Sequence, residues 1–347
     1  MIKKHFLVVG AGVSGLFVAK QLHGLGHTFT LIDNAQNKSS AVAAGLINPL
    51  VFRRMNLSWR ANEFLSNLIE EYRFLEEVTS SEFFHALTIR RLFSSEQERQ
   101  FWIDKHLLAE YEPFMHPISD EDDNYSLAKN EFGTGRVKQA FYVDTLPFIE
   151  KTKKWLSLIG EVIEEQLDYA NIDPVQSTYK GKTYSGIIFC EGVHVRENPW
   201  FNYLAVNATK GEVLTITSNA LPQDESLNRK CFVLPIGGQT FKVGSTYVWN
   251  TYNDQVTQEG RKLIQSNLSY ITDSPCEVIH QQAGMRPTTF DRRPFMGKHP
   301  DYDKLYVMNG LGTKGYMLAP LLSAEFCNWI DGKGELHPEV KLDRLLK

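Results

Sequence analysis

Residues 6–33 read FLVVGAGVSGLFVAKQLHGLGHTFTLID, and this stretch decides the fold. The apolar run Phe6 to Val9 ends in Gly10-x-Gly12-x-x-Gly15. Leu16, Ala19 and Leu22 then recur at helical spacing, and a second apolar run, Phe29 to Ile32, stops at Asp33. Strand, glycine turn, helix, strand and terminal acid together make a βαβ unit that binds a dinucleotide. Gly10 permits the tight strand-to-helix turn, Gly12 lets backbone approach a pyrophosphate, and Gly15 lets the helix pack on the sheet. The phosphates belong at the helix N-terminus, whose unpaired N–H groups and dipole favour anions. Asp33, 18 residues beyond Gly15, stands where it can accept hydrogen bonds from both hydroxyls of an adenosine ribose. NAD and FAD domains share this unit, so the rest of the chain has to choose between them.

A second such spacing, Gly310-x-Gly312-x-x-Gly315, follows the apolar run Leu305 to Met308 and precedes an apolar helix from Tyr316 to Ile330. No later strand supplies an acid for a second ribose, so this turn is expected to aim a helix N-terminus at something other than a pyrophosphate. A reduced flavin ring is such a target. It carries negative charge around N1 and the C2 carbonyl, which a helix dipole stabilises and the Lys314 ammonium reinforces. Between the two motifs, Ser39-Ser-Ala-Val-Ala-Ala-Gly45-Leu-Ile-Asn-Pro49 offers small residues past which a flat ring can lie. Gly186-Ile-Ile-Phe-Cys-Glu-Gly192 reads as a buried strand ending at a close-approach glycine.

At 347 residues the chain is long enough for about two domains. Its 42% apolar and 22% charged residues are ordinary for a globular protein, and a net charge of −4 gives no whole-chain bias toward nucleic acid. Cys190, Cys231, Cys276 and Cys327 lie far apart with no C-x-x-C pair, which points to a reducing compartment without a thiol metal site. The dispersed histidines show no H-E-x-x-H, so no metal is expected. The N-terminal apolar run is too short for a signal peptide, and no run approaches the 18 or so apolar residues of a membrane span. A cytoplasmic protein with no transmembrane segment is expected.

Four blocks in this order, VVGAGVSG, SSAVAAGLINP, AGMRPTTFDRRPFMG (283–297) and LYVMNGLGTKGYMLAP (305–320), resemble the D-amino-acid-oxidase-like FAD oxidoreductases, the superfamily of D-amino acid, glycine and sarcosine oxidases. The resemblance spans nearly the whole chain. It implies an α/β fold, with a discontinuous Rossmann-type FAD-binding domain (1–80, 140–205 and 280–347) and an inserted antiparallel β-sheet substrate domain of α+β type (81–139 and 206–279).

Local patterns agree with that division. Trp59 to Leu75 places Phe64, Leu65, Leu68, Ile69 and Tyr72 at helical spacing, and Phe83 to Phe93 looks extended. Ser95-x-x-Glu98 is a capping box, Asp120 to Asp123 an acidic loop, and a helix starts near Asp144. Gly211 to Thr217, Cys231 to Pro235 and Thr240 to Trp249 read as strands, and Thr257 caps a helix reaching about Tyr270.

The resemblance further implies non-covalent FAD, since no cysteine stands in the third or fourth block. It places the cofactor against Gly10, Gly12, Val13, Ser14, Gly15, Asp33, Ser39, Ser40, Ala44, Gly45, Val162, Gly192, Gly312, Thr313, Lys314, Gly315 and Tyr316. The chemistry it implies is oxidation of a carbon–nitrogen bond in a small amino acid or amine: hydride passes to flavin N5, the imine hydrolyses, and O2 or a quinone or other carrier takes the electrons. Arg286, in the G-x-R-P block, would grip the substrate carboxylate as a bidentate fork, unless it pairs with Asp291 instead. Tyr247 on GSTYVW is a pocket-lining candidate. Arg53 and Arg54 either face substrate or are exposed.

Two alternatives stand beside this reading. The third and fourth blocks also resemble the FAD oxidase part of the enzyme that trims carboxymethylaminomethyl-uridine in tRNA. That reading needs a basic surface, for which Arg90, Arg91, Lys151, Lys153, Lys154, Arg292 and Arg293 supply only scattered clusters, so no nucleic-acid partner is expected. The other is a non-catalytic FAD-binding protein.

Overall fold

The computed structural model describes residues 2–34 and 39–345. One sheet has six strands in the order Phe295–Lys298, Leu305–Asn309, Gly186–Phe189, His5–Val9, Thr28–Asp33, Glu161–Glu164. Neighbours run parallel except at the first pair, which is antiparallel. Strands covered on both faces read as unbroken apolar runs, and Phe6 to Val9 and Gly186 to Phe189 are accordingly buried throughout. The register aligns Val9 with both Ile32 and Phe189, and Phe189 with Val307. The turns that follow these four strands therefore emerge side by side at the carboxyl edge, where open α/β sheets bind their ligands.

Helix Val13–Gly24 lies against helix Gly315–Ile330, which in turn packs on helix Ala61–Thr79. The last buries Phe64, Leu65, Leu68, Tyr72 and Leu75, whereas Ile69 is 40% exposed at the margin of that face. Pro320 inside Gly315–Ile330 has no N–H to give the Tyr316 carbonyl. The buried Tyr72 hydroxyl donates to that carbonyl instead, at 2.7 Å.

The second sheet has nine strands. Leu46–Ile47, Thr134–Val143, Phe84–Leu92, Glu225–Arg229, Cys231–Pro235, Thr240–Gly244 and Asn207–Thr217 succeed one another. Val248–Trp249 pairs with the start of Asn207–Thr217, and Glu277–Thr288 runs along its other edge. The pairing is antiparallel except between Glu225–Arg229 and Phe84–Leu92, which are parallel. The expected cuts at 140 and 280 fall inside Thr134–Val143 and Glu277–Thr288, so the strand bearing Arg286 belongs wholly to this larger sheet.

Three local expectations change. Asp120–Asp123 is a short helix with a Ser119/Asp122 capping box rather than a loop. Its acids neutralise strand arginines: buried Asp122 accepts from Arg90 Nη1 at 2.8 Å and Arg136 Nε at 3.1 Å. The run Thr240 to Trp249 is two strands, Thr240–Gly244 and Val248–Trp249, separated by a turn. At Ser95 the cap is half of the expected box: Ser95 Oγ accepts from Glu98 N at 3.2 Å, but the Glu98 carboxylate takes the N–H of Ser94 rather than that of Ser95.

Candidate active site

A cavity of about 430 Å³ opens where the carboxyl edge of the six-stranded sheet meets the larger sheet. Gly10, at φ +98°, makes the first turn; a Cβ there would come within 2.6 Å of the Cys190 carbonyl oxygen. Helix Val13–Gly24 then starts with no acid in its first turn and no side-chain cap from Gly12. The Val13 N–H reaches Ser40 Oγ at 3.1 Å. Asp33 is held at the neighbouring strand end, where Oδ1 accepts from Ala11 N at 3.0 Å and Oδ2 lies 3.7 Å from Lys153 Nζ.

The Ser39 to Gly45 segment forms one wall. Ser39 Oγ donates to the Met285 carbonyl, and Gly45, at φ +73°, lies so close to Val143 that a Cβ would meet its carbonyl oxygen at 2.0 Å. Opposite, Gly312 takes φ +60°, and a Cβ there would meet nothing nearer than 3.9 Å. Helix Gly315–Ile330 begins at Lys314, again without an acid or a side-chain cap. The Lys314 ammonium donates to Asn48 O at 2.7 Å and Ser58 Oγ at 2.6 Å. Burial, reinforced by Arg292, pushes this lysine down to about 8. Tyr316 lies at the wall, its hydroxyl donating to Ser40 O at 2.8 Å.

Arg286 reaches the cavity from the larger sheet. Nη2 donates to Ser245 Oγ at 2.8 Å and Nη1 to Thr246 O at 3.3 Å, and the Tyr247 ring centre lies 5.3 Å from the guanidinium. Among the described residues no carboxylate forms an ion pair with Arg286. Asp291 is engaged elsewhere, bridging Arg344 Nε at 3.0 Å and accepting from Arg293 N at 3.0 Å. Burial lowers the Arg286 pKa from its ordinary value, an effect that an anion in the cavity would offset.

Three expected residues stand off the cavity lining. Gly15 faces the sheet, where a Cβ would be 1.8 Å from Gly10 O, so it closes the helix onto the turn. Val162 packs in the core opposite Leu31. The strand bearing it is short, and the chain beyond it meets the cavity at Glu165, Gln166, Leu167 and Tyr169. Tyr247 is 46% exposed and forms the rim, its ring against Arg286 and, at 5.2 Å, against Trp249. Arg53 and Arg54 are exposed on a short 3-10 turn.

Of the lining residues that went unmarked in the sequence, four bear on the chemistry. Glu191 is buried and accepts from Tyr169 Oη at 2.6 Å and Asn198 Nδ2 at 2.8 Å; burial, with Glu197 nearby, raises its carboxyl to about 7. Gly211, Phe232 and Ser245 come from the larger sheet and its turn. Of these only Gly211 carried a legible sign, an isolated glycine in a strand.

The donor set fits FAD. Two helix N-termini without acids converge on one cavity, an aspartate ends the second strand, and small residues leave the wall open to a flat ring. The family model described as FAD dependent oxidoreductase matches residues 5–329. The chain belongs to that family. This FAD-dependent oxidoreductase is 21% identical to glycine oxidase from Bacillus licheniformis over 94% of its own length and 92% of the relative's. It is 25% identical to the tRNA 5-methylaminomethyl-2-thiouridine biosynthesis bifunctional protein MnmC from Acinetobacter baylyi over 92% of its own length, spanning about half (52%) of that relative. The crystal structure of glycine oxidase from Geobacillus kaustophilus superposes with a TM-score of 0.81 at 17% identity, covering 96% of each chain. No helix among the described residues is long and apolar enough to cross a membrane.

Proposed function

We propose that this oxidoreductase oxidises the C–N bond of a small primary or secondary amino acid, and that Arg286 binds the substrate carboxylate. The observation that carries the reading is a guanidinium at the cavity that donates to a hydroxyl and a carbonyl and, among the described residues, forms no ion pair with a carboxylate. An Arg fork takes a carboxylate bidentately, which fixes orientation as well as position. FAD, when bound, supplies the electron sink, accepting the hydride that leaves the carbon next to the amine. The chain's part is positioning and electrostatics. The Gly10 to Ser14 turn holds phosphate, and Asp33 holds the adenosine ribose. The N-terminus of Gly315–Ile330 and Lys314 place positive potential at the ring. The amine nitrogen gives up a proton to solvent, and water then splits the imine to the oxo acid and ammonia, or to the oxo acid and the amine where the substrate is secondary.

A second reading gives the same chemistry a larger substrate, the carboxymethylaminomethyl group of a tRNA uridine. The MnmC relative supports it, as do the exposed Tyr247 and Trp249 at the rim, on which a base could stack. Arg90 and Arg91 lend it nothing, because both are buried in ion pairs with Asp122, Glu225 and Glu98.

Anaerobic titration of the purified holoprotein decides between them. Glycine, sarcosine, proline or a D- or L-amino acid is expected to bleach the flavin band, and air or a quinone to restore it. Bleaching by an N-carboxymethyl nucleoside alone would promote the second reading. A flavin that none of these bleaches would refute both.

A further inference from the structure

We infer that Gly211 is a specificity-determining position: the side chain it lacks is the seat in which the Arg286 guanidinium lies to meet a carboxylate. The inference rests on the reading of Arg286 given above. Strands Asn207–Thr217 and Glu277–Thr288 pair so that Arg286 stands opposite Thr209 and Gly284 opposite Gly211. Paired residues, and residues two apart, share a face of a sheet. Arg286 and Gly211 therefore point the same way, one row apart, and the long side chain folds across the glycine. A Cβ on Gly211 would fall 1.9 Å from Nη2, 2.1 Å from Cζ and 2.2 Å from Nη1. The guanidinium plane thus occupies the place of the missing methyl.

Backbone does not demand this glycine. Gly211 is absent from the positive-φ residues and lies in the middle of a regular strand, a conformation alanine adopts freely. The three atoms nearest to such a methyl all belong to the guanidinium. The other anchors complete the seat, with Ser245 Oγ and Thr246 O on two N–H groups and the Tyr247 ring beside the plane. Five N–H donors in a rigid fork leave the rest for a carboxylate. A methyl at 211 needs ordinary contact distance, so it drives the guanidinium roughly 1.5 Å away and breaks the Ser245 bond. Misplacing a binding group by about 1 Å can cost on the order of 100-fold.

The test is a double-mutant cycle on the holoenzyme with Gly211→Ala, Arg286→Ala and the combination. One readout is the shift of the flavin band on titration with acetate or glycolate; the other is KM and kcat for glycine and sarcosine. In the presence of Arg286, Gly211→Ala is expected to weaken carboxylate binding and raise KM by about 10- to 100-fold, with a smaller change in kcat. In the Arg286→Ala background the same substitution should change binding less than about 2-fold, because no guanidinium is left to displace. Equal losses in both backgrounds, or no loss with Arg286 present, would overturn the inference. Ser245→Ala removes only one hydroxyl and serves if Gly211→Ala fails to fold. It should weaken binding about 3- to 10-fold with Arg286 present and not at all without it, and any other pattern counts against the seat. A wild-type protein that binds neither carboxylate and is bleached by no amino acid would instead refute the reading of Arg286 itself.

Discussion

Replacing Arg286 by alanine removes a buried cation that has no carboxylate partner among the described residues, and the structure sets its effects on stability and on binding far apart. Folding loses one good hydrogen bond, to Ser245 Oγ at 2.8 Å, and one long one, to Thr246 O at 3.3 Å. Bonds to a charged donor contribute about 1.5 to 3 kcal/mol each. Against this, desolvating an unpaired ion costs several kcal/mol, and the substitution returns that cost. The two effects have opposite sign and similar size, so unfolding free energy should change by no more than about 1 to 2 kcal/mol, and Tm by no more than a few degrees. Binding has no such compensation. Truncating one side of a desolvated charge pair costs about 2 to 5 kcal/mol, or roughly 30-fold to several thousand-fold in kcat/KM for an amino acid. Methylamine and dimethylamine, which lack the carboxylate, should react equally with both proteins. Stopped-flow flavin reduction gives the rates and thermal unfolding the stability. A Tm lowered by ten degrees or more, or equal losses for amino acids and plain amines, would make Arg286 a structural residue and refute the reasoning.

Asp33→Ala should raise the FAD dissociation constant about 10- to 100-fold, the worth of charged hydrogen bonds to the ribose, while leaving carboxylate binding to the reloaded protein unchanged. Equal FAD retention in variant and wild type after ultrafiltration would end the ribose role. Glu191 gives a pH signature: burial raises its carboxyl from near 4.5 to about 7, so the folded protein holds a proton that the unfolded chain has released between those values. Unfolding free energy should therefore fall as pH rises from about 4.5 to 7, and Glu191→Gln should flatten that decline in urea titrations; an unchanged slope would exclude Glu191 as its source. Lys314 is pushed down to about 8, so its charge is lost as pH rises through that value. Anaerobic flavin reduction should slow over the same interval in wild type. It should be slower but free of that limb in Lys314→Met, and a limb persisting in the variant would belong to another group.

The βαβ unit was legible because its signals are local. Gly10, Gly12 and Gly15 do their work within six residues, and Phe6 to Val9 is apolar throughout because both faces of the sheet are covered. The turn before helix Gly315–Ile330 was legible for the same reason. The substrate side was legible only in Arg286, through a resemblance. Its seat depends on Gly211 and Ser245, 75 and 41 residues away, brought beside it by strand pairing that no local pattern records. Ser245 was hidden further because the turn holding it interrupts a run that alternates like one strand. Glu191 stood in plain view before Gly192, but its burial depends on Tyr169 and Asn198, outside the glycine turn. Asp120 to Asp123 looked like a solvated loop because the arginines that order it, Arg90 and Arg136, lie on two other strands.

The two sheets divide the work, and the Ser39 to Gly45 segment is where that division has to be reconciled. The six-stranded sheet supplies the Gly10 turn and Asp33, while the larger sheet supplies Arg286, Gly211 and Ser245. Hydride transfer needs the reacting atoms in near contact, so the relative placement of the two sets matters more than either alone. The segment bonds to both. Ser40 receives the Val13 N–H and the Tyr316 hydroxyl, Ser39 holds the Met285 carbonyl next to Arg286, and Gly45 O accepts from Val143 N at 3.0 Å. Thr145 Oγ1 ties Ala41 O to the helix behind it at 2.7 Å. Small residues here let the strand of Arg286 approach, and on the proposed placement of FAD they would also admit its flat ring. Gly284 shows the close approach, since a Cβ there would already sit 3.3 Å from the Ser39 Cα. Side chains enlarged along this wall would therefore shift the ring and the guanidinium together, whereas changes at Asp33 or Gly211 act on one partner and leave the other in place.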